Sequence, residues 1–113
     1  MENVVYNELC SRGFNVDVGV VPITEVVDGK QVRKQLEIDF VCNKGSRRYY
    51  IQSAFALPDE IKRQQEFKPL QKVNDSFKKI VVTKDAPRPY YNDDGILVMN
   101  IYDFLLNENS LEY

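Results

Sequence analysis

Val4, Val5 and Leu9 recur at helical spacing in residues 2–12, and Gly13 follows them. That spacing gathers apolar side chains on one face of a helix, and a glycine just past the last turn suits its closure. From Phe14 the period changes to two. Phe14, Val16, Val18 and Val20 alternate with other residues, which predicts a half-buried strand over 14–26. Asp28-Gly29 then sits between two alternating runs. Both residue types tolerate positive φ, so the pair predicts a tight hairpin. The partner strand is expected over 31–42. Strict alternation would send Leu36, Ile38 and Phe40 to one face and Glu37, Asp39 and Val41 to the other. Asn43-Lys44-Gly45-Ser46 marks a second turn. A third strand over 47–56 would oppose Tyr49, Ile51, Ser53 and Phe55 to Tyr50, Gln52, Ala54 and Ala56.

Beyond this point the pattern becomes more polar. Residues 58–72 read as a helix started by Pro58, with a kink or break expected at Pro69 because proline disfavours helical geometry in the residue before it. Residues 77–84 form an apolar run that predicts a buried strand, and 85–95 hold two prolines and read as loop. A last strand over 96–101, a short helix to about 107 and a fraying tail complete the chain. The order is helix, three strands, helix, two strands, helix. It predicts one domain over 1–113 of the α/β class, an α+β mixed sheet with helices on its faces. Two hairpins supply the antiparallel part, and the 58–72 helix crosses over to a parallel partner.

Composition narrows the chemistry. The chain has 113 residues, a length that suits one domain with a core of its own. Its net charge of −2 gives no overall electrostatic footprint for nucleic acid. No apolar run approaches the length of a membrane-spanning helix, so a membrane is not expected as a partner. There is no histidine, which excludes histidine catalysis and histidine-rich zinc sites. Cys10 and Cys42 have no framework spacing and read as the reduced thiols of a cytoplasmic protein. No GxxxxGK[ST] phosphate loop occurs.

The order of elements, with Glu8 on the first helix, Asp39 in EIDF and the strand YYIQSAF, resembles the core of the PD-(D/E)XK nuclease superfamily, and that resemblance implies a restriction-endonuclease-like fold. The strings VVYNELCSRGFNVDVGVV, QLEIDFVCNKGSRRYYIQSAFAL and NDSFKKIVV are similar to one family in particular. That family is the domain of unknown function at the C-terminus of a group of prokaryotic AAA-type ATPases. The resemblance covers essentially the whole chain. It implies an ATPase core upstream, absent from this chain, which would make the chain a separated C-terminal piece.

In active members of the superfamily an acid on the first helix and two acids on adjacent strands hold Mg²⁺ or Mn²⁺, and a lysine stands two residues after the last acid. Hard cations take carboxylate oxygens, and the bound metal activates water for phosphodiester cleavage. By this resemblance the catalytic and metal positions are Glu8, Asp39 and Gln52, with Ala54 where the lysine belongs. Gln52 offers an oxygen without charge and Ala54 offers nothing, so any Mg²⁺ or Mn²⁺ would be held weakly. Lys34, Lys44 or Arg47 could supply the missing cation from another strand. Against all this stands a plainer reading, in which Glu8 and Asp39 are ordinary half-exposed carboxylates.

Arg47-Arg48 and Lys62-Arg63 could touch phosphates or simply form a solvated face. Tyr90-Tyr91 could stack on a base or anchor their own loop. The expectation is therefore a catalytically degenerate recognition or interaction module of an AAA-type ATPase. The alternative is an active Mg²⁺- or Mn²⁺-dependent DNA nuclease. Nucleic acid and a second copy of the chain stay open as partners. If an upstream domain has been removed, an exposed apolar patch is expected near the first helix or the loop around residue 90.

Overall fold

A computed structural model describes all residues, 1–113. In chain order it contains α1 (Glu2–Ser11), β1 (Asn15–Val27), β2 (Lys30–Lys44), β3 (Arg47–Ala54), α2 (Glu60–Gln71), β4 (Lys78–Thr83), β5 (Tyr90–Tyr91), β6 (Leu97–Asn100) and α3 (Ile101–Leu106), with a closing 3₁₀ turn at Ser110–Glu112. The strands form one six-stranded sheet in the order β1-β2-β3-β4-β6-β5. β1–β2, β2–β3 and β5–β6 pair antiparallel. β3–β4 and β4–β6 pair parallel, so α2 is the crossover that the order of elements predicts.

The first hairpin closes as its turn residues require. Asp28 and Gly29 have φ of +51° and +76°, and Val27 faces Lys30 across them. Positive φ at both central residues matches the right-handed twist of the flanking strands. The hairpin is long. β2 pairs with β3 only from Phe40 to Lys44, whereas its pairing with β1 continues to the turn. Residues 19–38 therefore make an arm that extends beyond the body of the sheet.

Two cores cover the two faces. On one, α1 and α3 pack Val5, Leu9 and Phe104 against Phe40, Cys42, Ile51, Ile80 and Val82. On the other, α2 packs Phe67 and Leu70 against Ile38, Tyr50, Ala54, Val81 and Val98. Ile38 and Phe40 thus belong to opposite faces, not to one. The cause is a bulge: Asp17 faces Val41 but Gly19 faces Ile38, so β2 carries an extra residue at Asp39–Phe40. A bulge breaks the period of two and re-aims the side chains around it. Gly19 makes this packing fit, because a Cβ there would come within 2.6 Å of Val41 Cγ2.

Other expectations shift as well. Asp59, not Pro58, starts α2, its carboxylate accepting from the Lys62 N–H at 2.8 Å. The helix runs through Pro69 to Gln71 without breaking. Phe67, Pro69 and Leu70 are buried against the sheet, and that packing outweighs the local cost of the proline. β3 ends at Ala54 rather than 56, and Tyr90–Tyr91 pair with β6 instead of remaining loop. The tail does not fray. Arg12 donates to the Phe104 carbonyl, to the Asn107 carbonyl at 3.0 Å and to Ser110 Oγ at 3.0 Å, and Lys78 donates to the Leu111 carbonyl at 2.6 Å.

Candidate functional site

The β2–β3 ladder stops at Phe40–Ile51, one pair short of Asp39. Side chains take over from there. The Asp39 N–H donates to Gln52 Oε1 at 2.7 Å, and the Ser53 N–H donates to Asp39 Oδ2 at 2.8 Å. Gln52 Nε2 donates in turn to the Glu66 carbonyl at 3.1 Å, in the turn of α2 that precedes Pro69. Two strands that part company at the bulge are thus tied to each other and to the covering helix. Gln52 is 4% exposed, and both ends of its amide are occupied.

Asp39 sits in an unfavourable place for a charge. Burial raises its pKa above the usual aspartate value, and the carboxylates of Glu2, Glu66 and Glu37 raise it further, against the lowering effect of the Ser53 N–H. Ser53 Oγ, the one buried side-chain polar atom without a hydrogen-bond partner, belongs to the same stretch of β3.

The structure brings Asp39 and Gln52 together. It does not bring Glu8 to them through any contact. Glu8 Oε2 accepts from Arg12 Nε at 2.8 Å and so faces the Arg12 cluster that holds the tail. Ala54 is buried under α2. The alternative cations are engaged elsewhere: Lys34 pairs with Glu25 at 3.0 Å, Lys44 donates to the Arg12 carbonyl at 2.8 Å, and Arg47 approaches Glu112. The acid of α1 that Asp39 feels is Glu2. Helical spacing could have found it, since Glu2, Val5 and Leu9 stand at i, i+3 and i+7. Glu66 could not have been found that way, because only the packing of α2 on the sheet brings it near.

These residues do not fit a Mg²⁺ or Mn²⁺ cage. Such ions take several carboxylate or carbonyl oxygens at once. No three acids, cysteines or histidines come together with metal-ligand geometry, and the Gln52 oxygen is already accepting from the Asp39 N–H. The other side chains singled out in the sequence also have internal partners. Lys62 pairs with Glu66 at 3.0 Å, Arg63 donates to Tyr90 Oη at 3.3 Å, and the Tyr91 hydroxyl donates to the Tyr113 carbonyl. Arg48 donates to Asn43 Oδ1 at 2.8 Å but has no carboxylate partner.

Fold and site define a mixed-sheet α+β domain whose central polar cluster ties a bulged strand to its crossover helix. The chain is 36% identical over 109 residues to an uncharacterized protein of Haemophilus influenzae, a match that covers 94% of this chain and 22% of that protein. This chain therefore spans well under half of the relative's length, and there the corresponding segment lies within a much longer polypeptide. No family model and no solved structure matches the chain. No helix is long and apolar enough to cross a membrane.

Proposed function

We propose that this chain is a PD-(D/E)XK-like domain whose metal-site positions have become scaffold, and that it serves as a recognition or interaction module of an AAA-type ATPase. The observation that carries the reading is the Gln52 amide. One end caps the Asp39 N–H and the other caps the Glu66 carbonyl, so the position that would coordinate metal holds the fold together. Ala54, in the core, and Glu8, paired with Arg12, agree with that. The greater length of the Haemophilus relative supports a domain that works joined to other sequence.

The nuclease reading draws on one observation of its own. Burial, with smaller contributions from the charges of Glu2, Glu66 and Glu37, raises the Asp39 pKa, and a cation beside it would offset that. A cleavage assay separates the two readings. Duplex, single-stranded and branched DNA are incubated with the native chain and with Asp39→Ala, in Mg²⁺ and in Mn²⁺. The module reading expects neither to cleave. Cleavage by the native chain that Asp39→Ala abolishes would establish the nuclease.

A further inference from the structure

β1 is an edge strand, and on the α2 side of the sheet it forms one wall of a groove. The groove has a volume of about 530 Å³ and runs over the α2 face of the sheet, from β1 across β2 to Arg48 and Tyr50 of β3 and the C-terminal end of α2. Six consecutive residues of β1, Asp17 to Pro22, line one side of it. Its floor is Val21, Ile38 and Val41, opened by the missing side chain at Gly19. Its far rim carries Arg48 and Lys72, both exposed. Neither cation has a carboxylate partner in the fold. Asp17, at the β1 end, is the one carboxylate in the lining, so the groove is apolar below with a cationic excess on its far side, on a chain whose net charge is −2.

The register of the hairpin says which backbone groups are free. Val27 and Lys30 flank a two-residue turn and exchange both main-chain bonds. Counting back by twos, Ile23, Val21 and Gly19 bond to β2, whereas Pro22, Val20 and Val18 turn their main-chain groups outward. Pro22 has no N–H, so it ends the usable edge on that side. What remains is a short run of open donors and acceptors at Val18 and Val20. Side chains of a strand paired there would alternate, and every second one would fall on the groove face beside Gly19.

We propose that β1 accepts an extended peptide segment of a partner protein by strand addition, with an apolar side chain seated over Gly19, Val21 and Val41 and an acidic side chain two residues away that faces the cationic far side of the groove at Arg48 and Lys72. In this mode main-chain bonds supply affinity and the pocket for alternate side chains supplies selectivity. The proposal rests on the interaction-module reading and names its site and the chemistry of its partner.

The test uses the full chain and two capped heptapeptides of alternating threonine and valine character. Both carry leucine at the centre; one has glutamate and the other lysine two residues to either side of it. The glutamate peptide should bind about tenfold more tightly than the lysine peptide, and added salt should weaken it. Arg48→Glu with Lys72→Glu, both exposed and outside the cores, should reverse the preference. Amide exchange read by NMR should show Val18 and Val20 protected on binding and the β4 amides unchanged. Equal binding of the two peptides, no reversal in the charge-swapped chain, or protection away from β1 would each overturn the proposal. Protection of Val18 and Val20 in the free protein that grows with its concentration would also overturn it, because a second copy would then occupy the edge. Absence of binding together with absence of DNA cleavage would remove the peptide site and leave the module reading. Cleavage that depends on Asp39 would remove the module reading itself.

Discussion

β4 and the β1–β2 arm share one sheet but bury it differently. In β4 four consecutive residues, Ile80 to Thr83, are buried, because α1 and α3 cover one face and α2 the other. In β1 only Gly19 is buried along the whole strand, and Val18 and Val26 are 66% and 73% exposed. Parallel strands between helix layers read as unbroken apolar runs, whereas an antiparallel edge can leave one face to solvent. The parallel half is scaffold, and the arm is surface held out from it. Val4, Tyr6 and Tyr91 are exposed near the first helix and the loop around residue 90, where a patch is expected, but the most exposed apolar side chains, Leu106, Val26 and Ile61, lie elsewhere.

The contrast is broken most severely by cutting into the scaffold. Phe104→Ala should cost about 3–5 kcal/mol, whereas Val26→Ala in the arm should change stability by less than about 0.5 kcal/mol. Urea unfolding of the two variants decides it; similar losses would mean that the arm is packed as tightly as the body. Next comes the joint between the halves. Gln52→Ala leaves the Asp39 N–H and the Glu66 carbonyl unpaired and should cost about 2–4 kcal/mol by the same measurement. A loss below about 0.5 kcal/mol would show that water replaces the amide without penalty.

A smaller effect belongs to the arm alone. Gly29→Ala places a side chain at φ +76° and should cost about 1 kcal/mol. Amide exchange should quicken along the arm while β4 stays protected, and equal quickening in β4 would show the two regions unfolding as one unit.

The smallest effect concerns charge. Burial and the neighbouring acids raise the Asp39 pKa in the folded chain above its unfolded value. The resulting stability is fully present below the unfolded pKa and is lost as pH rises through the folded one. Asp39→Asn keeps an oxygen for the Ser53 N–H and removes that loss. The variant should therefore gain on the native chain at pH 7 and lose the advantage in acid. Thermal unfolding across pH reads the difference, and an advantage that persists unchanged in acid would place the charge penalty elsewhere.

Much of this contrast can be read from the sequence where its cause is local. Asp28-Gly29 announces its turn because the backbone signs it needs belong to those two residues. The apolar run of β4 shows its burial directly, but the alternation of β1 misleads: Val18 and Val20, expected on the half-buried face with Phe14 and Val16, are 66% and 54% exposed, because the long hairpin runs on past the helix that covers that face. The bulge at Asp39–Phe40 leaves no such mark, so a period of two puts Ile38 and Phe40 on one face when they lie on two. Pro69 reads as a break because the packing of Phe67 and Leu70 around it is long-range. β5 has two residues, too few for any period. At the candidate site, Asp39 and Gln52 can be singled out by type and spacing, but what Gln52 does is set by a helix carbonyl 14 residues away. On the first helix both answers are open to reading: Glu2 stands in step with Val5 and Leu9, and Glu8 stands four residues before Arg12, the spacing of a helical ion pair.

The two thiols give this molecule a clock. Cys10 is exposed on α1, and Cys42 is fully buried beneath the same helix, where burial pushes its pKa up to about 12. Only a thiolate in contact with solvent reacts quickly. A thiol reagent should therefore mark the native chain once at Cys10 and a second time only when the α1 side lifts away from the sheet. The delay between the two events times that opening, while motions confined to the α2 side pass unrecorded.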